Sequence, residues 1–295
     1  MIEHHNPEPK NPLRVVILGA GGFVGTLLKD KLQAANIPVL ALGSKEIDLS
    51  TEGAAEKLVA LLKPEDAVVM LSAITPDKGR DIEAFMRNMK MGANVCVALQ
   101  KCPVAHTVYL SSDAVYPVEV AHVSEETSAA PTDLYGTMHK AREVMFQSTV
   151  TSAPLALLRL TITFGVADTH NSYGPNRFRR SASQDKKITL FGNGEEARDH
   201  IFVDDAIELI YQVLRYRTHG LLNLATGKSY NFMEVATKVA ALFNDAVEIV
   251  CTPRKTTITH RHYDVTNLYK AFPRMQWTSF DEGLAKVHQQ MLEQV

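Results

Sequence analysis

Hydrophobic and polar positions change period repeatedly along the chain, and each change marks an element. From residue 13 the run LRVVILGAG is apolar at nearly every position, the pattern of a strand buried on both faces. Residues 23–35 then carry apolar side chains at helical spacing, and a second strand follows at 39–42. A short helix over about 53–62 leads into a third apolar run, AVVMLSA, and a helix over about 82–101 leads into a fourth, HTVYLSS. Strands that alternate with helices imply right-handed crossovers and a parallel sheet. The expected fold is therefore α/β, a Rossmann-type doubly wound parallel sheet.

A helix over about 134–148 and the strand LALLRLTITFG continue the alternation. The polar stretch 167–185 then reads as a long loop, a kind of segment that is often functional. The helix DDAIELIYQVL and the short strand LLNLA return to the sheet, while 252–274 is irregular and rich in basic residues. This pattern divides the chain into a flexible leader over 1–12 and a dinucleotide-binding domain over 13–170 plus about 201–228. A smaller, interleaved C-terminal substrate-binding domain takes about 171–200 plus 229–295.

Composition narrows the class. The 295 residues are 45% hydrophobic and 22% charged, an ordinary globular balance long enough to bury a sizeable core. A formal net charge of −2 removes an obvious nucleic-acid binder. Cys96, Cys102 and Cys251 show no metal-ligand spacing, and their odd number argues against a disulfide framework, so a reducing cytoplasm is the expected compartment. No apolar run approaches the roughly 18 residues of a membrane span, and the start MIEHHNPEPKNP lacks the basic-then-apolar order of a signal peptide. His4 and His5 fall in the Pro-rich leader, and His106, His200, His260 and His262 form no ligand set, so no metal is expected.

The first candidate chemistry lies after the first strand, where GAGGFVG sets Gly19, Gly22 and Gly25 three apart at the start of a helix. Glycines at this spacing permit the tight turn, let a pyrophosphate approach the backbone, and pack helix against strand, with N–H groups of the helix facing the anion. The competing reading is an ordinary strand-to-helix turn. Flanking apolar strand and helix favour dinucleotide binding. Dinucleotide folds often place an acid after the second strand to hold the adenosine ribose of NAD, but here the chain reads Leu42-Gly43-Ser44-Lys45. Ser44 and Lys45 suit the 2′-phosphate of NADP, which leans the reading to NADP(H) over NAD(H). Asp48 and Leu49 are candidates to cap the adenine.

The fourth strand ends in Ser111-Ser112-Asp113-Ala114-Val115-Tyr116, and a later helix opens with YGTMHKARE from Tyr135 to Glu143. With the glycine turn, these segments resemble the extended short-chain dehydrogenase/reductase superfamily, in particular its nucleotide-sugar epimerases, dehydratases and ketoreductases. FGNGEEARDHIFVDDA, NLATGKSYNFMEVA and DVTNLYKAFPRMQWTSFDEGL extend the likeness over about residues 13–286. The resemblance implies an NAD(P)-dependent enzyme that moves a hydride at a sugar carbon, as an epimerase or 4-ketoreductase, and that forms a homodimer through the helices near 82–101 and 134–148. It implies cofactor contacts at Gly19, Gly22, Phe23, Val24, Gly25, Ser44, Lys45, Asp48 and Leu49, at Ser72 and Ala73 after the third strand, and at Tyr135 and His139.

By the same resemblance, Ser112 hydrogen-bonds the reacting sugar oxygen and Tyr135 exchanges its proton, with Asp113 beside them. Arg198 matches the arginine that holds a nucleotide-sugar diphosphate, a group suited to the guanidinium fork; Asn176, Arg177, Arg254 and Arg261 add to a cationic pocket. Related dehydratases follow their Ser/Thr with Asp-Glu, and Ala114 stands where the glutamate would, which disfavours dehydration.

One departure stands out. The family's tyrosine helix reads Tyr-x-x-x-Lys, whereas here His139 is four residues after Tyr135 and Lys140 is one further. Positions i and i+4 share a helix face while i+5 is rotated roughly 100° further, so His139 takes the lysine's place. Glu143, four residues on, keeps the family register. The alternatives from other classes are a non-catalytic NAD(P)-binding sensor or scaffold, and an NADP-dependent reductase of a small carbonyl compound.

Overall fold

The computed structural model describes residues 2–244, 246–254 and 256–293. Its centre is a seven-stranded sheet. The strands are β1 (Glu3–His4), β2 (Val15–Leu18), β3 (Val39–Leu42), β4 (Ala67–Met70), β5 (His106–Ser112), β7 (Leu155–Leu160) and β11 (Thr218–Leu224), with the short β6 (His122–Val123) set apart. In space the order is β1-β11-β7-β5-β4-β2-β3, and every pair is parallel except β1 with β11. The order reverses between β3 and β4 on either side of β2, so the carboxyl ends of β2 and β4 open a crevice of the kind in which doubly wound folds bind ligands.

Two faces of the sheet are buried in separate cores, and the period of two decides which side chain goes where. Val15 and Ile17 of β2 join one cluster, while Val16 and Leu18 join the other. The first face packs on α1 (Phe23–Ala34) and α6 (Val203–Tyr216); the second packs on α2 (Ala54–Val59), α3 (Ile82–Lys101) and α4 (Leu134–Thr149). Among the described residues, no helix is long and apolar enough to cross a membrane. All three cysteines are free.

The expected strand over LALLRLTITFG is broken. β7 ends at Leu160 and β8 (Ile162–Phe164) starts two residues later, because the chain leaves the large sheet at Thr161, whose N–H still donates to Leu224 and whose hydroxyl donates to the Asp199 carbonyl. β8 then pairs with β10 (Ala197–Phe202), which also pairs with β12 (Ser229–Asn231). Two further pairs, β9 (Lys187–Phe191) with β13 (Glu248–Thr252) and β6 with β14 (His262–Tyr263), complete the smaller part with α7 (Phe232–Ala240), α8 (Thr266–Ala271) and α9 (Phe280–Leu292).

Two expectations are corrected. The stretch 167–185 is not one loop, for α5 (Pro175–Asp185) occupies its second half. Its polar composition hides the apolar pair Phe178 and Ala182, one turn apart and buried, and Pro175 stands at the helix start where a missing N–H costs nothing. The leader is not free either. Glu3 and His4 pair with His219 and Thr218 at the sheet edge, and the His4 ring bonds Thr218 Oγ1 at 3.0 Å and the Ala271 carbonyl at 2.8 Å. A two-residue strand carries no hydrophobic period by which to be found.

Two imidazoles are sealed into this fold. His106 donates from Nε2–H to the Thr218 carbonyl at 2.9 Å, and His200 lies between Phe232 and Phe280 with no partner for either ring nitrogen among the described residues. Burial pushes His106 down to about 4 and His200 to about 3. An unfolded histidine titrates near 6.5, so between about pH 6.5 and 4 the unfolded chain binds more protons, and stability falls as pH falls through that window. Each imidazole contributes about 1.4 kcal/mol per pH unit there. The urea midpoint is expected to drop between about pH 7 and 5, and His200→Phe to flatten the drop; a midpoint independent of pH contradicts this.

Candidate active site

The glycine turn closes the crevice between β2 and α1. The N–H groups of Gly19 and Ala20 donate to the Leu42 carbonyl at the end of β3, at 2.8 and 3.2 Å, and Gly22 serves as the cap of α1 without a side-chain bond to the helix N–H groups. A Cβ on Gly25 would stand 2.2 Å from the Gly19 carbonyl oxygen, so only glycine allows this approach. Phe23 is a core residue packed toward Gly165, so what it can offer a ligand is its backbone N–H in the first turn of α1. Ser72, just after β4, lies against Gly19. A narrow turn with free helix N–H groups, at the switch point of the sheet, fits the diphosphate of a dinucleotide.

After β3 the geometry shows a carboxylate that the sequence reading passed over. Glu46 folds back so that Oε2 accepts from the Gly43 N–H at 2.8 Å, on the side of Gly43 that also faces the Gly21 N–H. Ser44 and Lys45 lie exposed beside it. Asp48 accepts from the N–H and hydroxyl of Ser50, which holds its carboxyl below the usual range, and Leu49 is buried in the core.

At the carboxyl end of β5 the chain turns through a short 3-10 segment, Asp113–Val115, capped by the Ser112 hydroxyl, which accepts from the Ala114 N–H at 3.1 Å. Asp113 Oδ2 accepts from the Tyr263 hydroxyl at 2.6 Å. Tyr135, in the first turn of α4, faces this segment across a cavity of about 360 Å³ whose lining includes Ile74, Asn88, Ala114, Tyr135 and Met138. Ser112 and Asp113 thus lie at the carboxyl end of β5, against the first turn of the helix that carries Tyr135 and His139.

His139 is buried, with its ring edge-on to Tyr135 at 4.6 Å between centroids. Its Nδ1 lies 2.7 Å from the Tyr109 hydroxyl on β5, and its Nε2 has no partner among the described residues. Burial, then the nearby charge of Arg142, push His139 down to about 3. The Tyr109 hydroxyl makes its hydrogen bond at Nδ1, so donation there is the arrangement that uses its proton, and it places the imidazole proton on Nε2. Burial likewise pushes the Tyr135 phenol above its ordinary range. Lys140 is half-buried, and its Nζ lies 3.8 Å from Oε2 of the buried Glu143 rather than beside Tyr135.

Glu143 itself is buried and fully engaged. It accepts from Ser111 Oγ at 2.8 Å and from two nitrogens of Arg159 at 2.9 and 2.7 Å.

The cationic pocket is not assembled as expected, for its arginines are spent on the chain's own groups. Arg198 pairs with Glu196 and donates to Thr259; Arg254 pairs with Glu195 and Glu196; Arg261 donates to the carbonyls of Val120 and Pro117. Asn176 is buried and ties Gly165 to Thr163, whereas Arg177 lies exposed over the Tyr173 ring. Among the described residues no group of His, Cys, Asp and Glu could hold a metal ion.

A family model described as the NAD dependent epimerase/dehydratase family matches residues 15–225. The chain is 25% identical over 239 residues to an uncharacterized UDP-glucose epimerase of Bacillus subtilis, covering 68% of this chain and 72% of that protein. In fold it is similar to MoeE5 in complex with UDP-glucose and NAD, with a TM-score of 0.82 and 20% identity over 95% of this chain and 99% of that one. A GDP-L-fucose synthetase from Naegleria fowleri bound to NADP gives a TM-score of 0.83 at 18% identity, over 98% of this chain and 96% of that one. Solved relatives of this fold therefore hold either dinucleotide.

Lys45 and Glu46 carry opposite charges, so near a 2′-phosphate they would act in opposite directions. An ammonium attracts a 2′-phosphate, and a carboxylate accepts from ribose hydroxyls and repels the phosphate. Calorimetry is expected to show Lys45→Ala weakening NADP(H) selectively and Glu46→Gln strengthening NADP(H) relative to NAD(H). Equal changes for both cofactors would remove these residues from the choice.

Proposed function

This chain belongs to the NAD dependent epimerase/dehydratase family, and from that membership we propose that it is an NAD(P)-dependent enzyme acting on a nucleotide-activated sugar. The reaction is epimerisation or 4-ketoreduction at a ring carbon, with Tyr135 as the proton-transfer residue. The observation that carries this reading is the placement of Tyr135, edge-on to His139, across a cavity from Ala114 in the turn that Ser112 caps.

A dinucleotide held at the glycine turn would supply the group that accepts or returns hydride. Each residue of the chain has a separate task. Ser112 presents a hydroxyl that donates to the sugar oxygen, and Tyr135 takes a proton as an alcohol becomes a ketone or gives it back as the ketone is reduced. Asp113, held by Tyr263, fixes the turn that aims Ser112. His139 has Nε2–H free to donate to a ribose hydroxyl, and because it is neutral it orients without adding charge. Arg198, Arg254 and Arg261 belong to the smaller part of the fold, and for any of them to hold a diphosphate its present protein contacts would have to be exchanged. The GDP-L-fucose synthetase likeness favours the reductive branch, and the UDP-glucose epimerase likeness favours the epimerising one.

Incubation with a panel of nucleotide sugars and both cofactors, read by mass spectrometry, tests the assignment. Conversion of one of them is expected, Tyr135→Phe is expected to reduce turnover by about 100-fold or more, and His139→Ala is expected to cost far more than Lys140→Ala. Tight cofactor binding with no sugar converted would favour a sensor or scaffold, and a dead Lys140→Ala beside a near-normal His139→Ala would refute the role of His139.

We also propose a homodimer through α3 and α4, which leave Ile82, Met86, Val97, Leu134 and Val144 exposed. Such side chains gain from mutual burial. Light scattering is expected to give twice the chain mass, and Met86→Glu with Val144→Glu to give single chains; a monomeric unmodified protein would exclude the dimer.

A further inference from the structure

The place that relatives give to a lysine holds a buried, neutral imidazole here, yet the site is not without a cation. One turn beyond His139 on α4, Arg142 is fully buried. Its Nε donates to the Asn88 carbonyl at 2.9 Å and Nη1 to the Ser72 carbonyl at 2.8 Å, while Nη2 also reaches Asn88. Among the described residues it makes no ion pair, since the adjacent Glu143 is held by Arg159 and Ser111. A buried charge without a carboxylate is costly, and the fold makes room for this one. On α3, a Cβ at Gly92 would come within 3.0 Å of Arg142 Cγ and 3.2 Å of Nε.

We propose that Arg142 is the positioning cation of this active site, acting on Tyr135 through its own buried charge. The inference rests on the reading of Tyr135 as the proton-transfer residue. Its contacts put it where this role requires. Ser72 lies against Gly19 of the glycine turn, Asn88 holds the loop after β4 by bonds to both the N–H and the carbonyl of Ile74, and both Asn88 and Tyr135 line the cavity.

The surrounding charges sharpen the point. Tyr135 is faced by Asp113 from the turn after β5, by Asp77 from the loop after β4, by Tyr109 from β5 and by Arg142 from its own helix. Tyr109 is in turn faced by Glu143 and by Cys96 of α3. Around Tyr135 the carboxylates of Asp113 and Asp77 oppose a phenolate, and the Arg142 guanidinium favours one. The guanidinium therefore favours the ionised form of Tyr135 and adds to the burial that keeps His139 neutral.

The test reads the ionisation of the phenol directly and needs no turnover. Tyr135→3,5-difluorotyrosine brings that ionisation to a pH the fold survives, and its ¹⁹F shift is followed against pH in the full chain, with and without NAD(H). Arg142→Met is expected to raise the midpoint by about one pH unit or more, Arg142→Lys to stay much closer to the unmodified protein, and cofactor affinity to change little. Where Arg142→Met does not fold, Gly92→Ala, which keeps the charge and displaces it, is expected to raise the midpoint as well. An unchanged midpoint in a folded Arg142→Met, or in Gly92→Ala where that is the variant used, overturns the proposal, as does an equal rise in Arg142→Met and Arg142→Lys. If no sugar is turned over but the midpoint moves as expected, the proposed reaction fails and the role of Arg142 in the electrostatics of Tyr135 stands.

Discussion

The buried ion pair between Glu143 and Arg159 fixes where α4 lies on the sheet, and the site depends on that placement. Glu143 reaches down from the helix to Arg159 on β7 and to Ser111 on β5, and all three are within the fold. Breaking such a pair by removing one partner costs on the order of 3–5 kcal/mol, because a charge is left buried without compensation. The helix therefore has one register against the strands. With Glu143 pointing at the sheet, His139 one turn earlier must also point inward, to Tyr109, and Tyr135 one turn before that must stand at the rim.

The same register explains why His139 is neutral. An inward position on α4 takes the ring out of water, and the guanidinium of Arg142 adds a like charge that a protonated imidazole would have to face. Both effects point the same way. A lysine at that place would combine donation to a ribose with a positive charge near the tyrosine. In the arrangement proposed for this chain the two functions are divided, with the donor on His139 and the charge on Arg142. The division is costly in desolvation, and the carbonyls of Asn88 and Ser72 offset part of that cost.

Much of this was legible in the sequence. The apolar runs and the helical spacing over 23–35 and 82–101 define β2, α1 and α3 closely, because strands buried on both faces and long amphipathic helices leave strong patterns. The register argument about His139 and Lys140 needed only the pitch of a helix. What periodicity cannot convey is what a buried polar residue touches. Tyr109 reads as one more apolar position in HTVYLSS, Arg142 as one more charge in KARE, and Glu46 as part of a turn, yet each gains its meaning from a partner far away in the chain. For the same reason Arg198 and Arg261 read as a cationic pocket, whereas in space each is satisfied by the chain's own acids and carbonyls.

The central claim is that a neutral imidazole occupies the place of the lysine. Nitrogen-15 NMR of the histidine-labelled protein, assigned by comparison with His139→Gln and followed from about pH 8 to pH 5, tests it most directly. The account predicts that His139 stays neutral across that range and carries its proton on Nε2, with Tyr109 donating to Nδ1. Protonation of His139 with a midpoint near the ordinary value of about 6.5, or a proton resident on Nδ1, would contradict it.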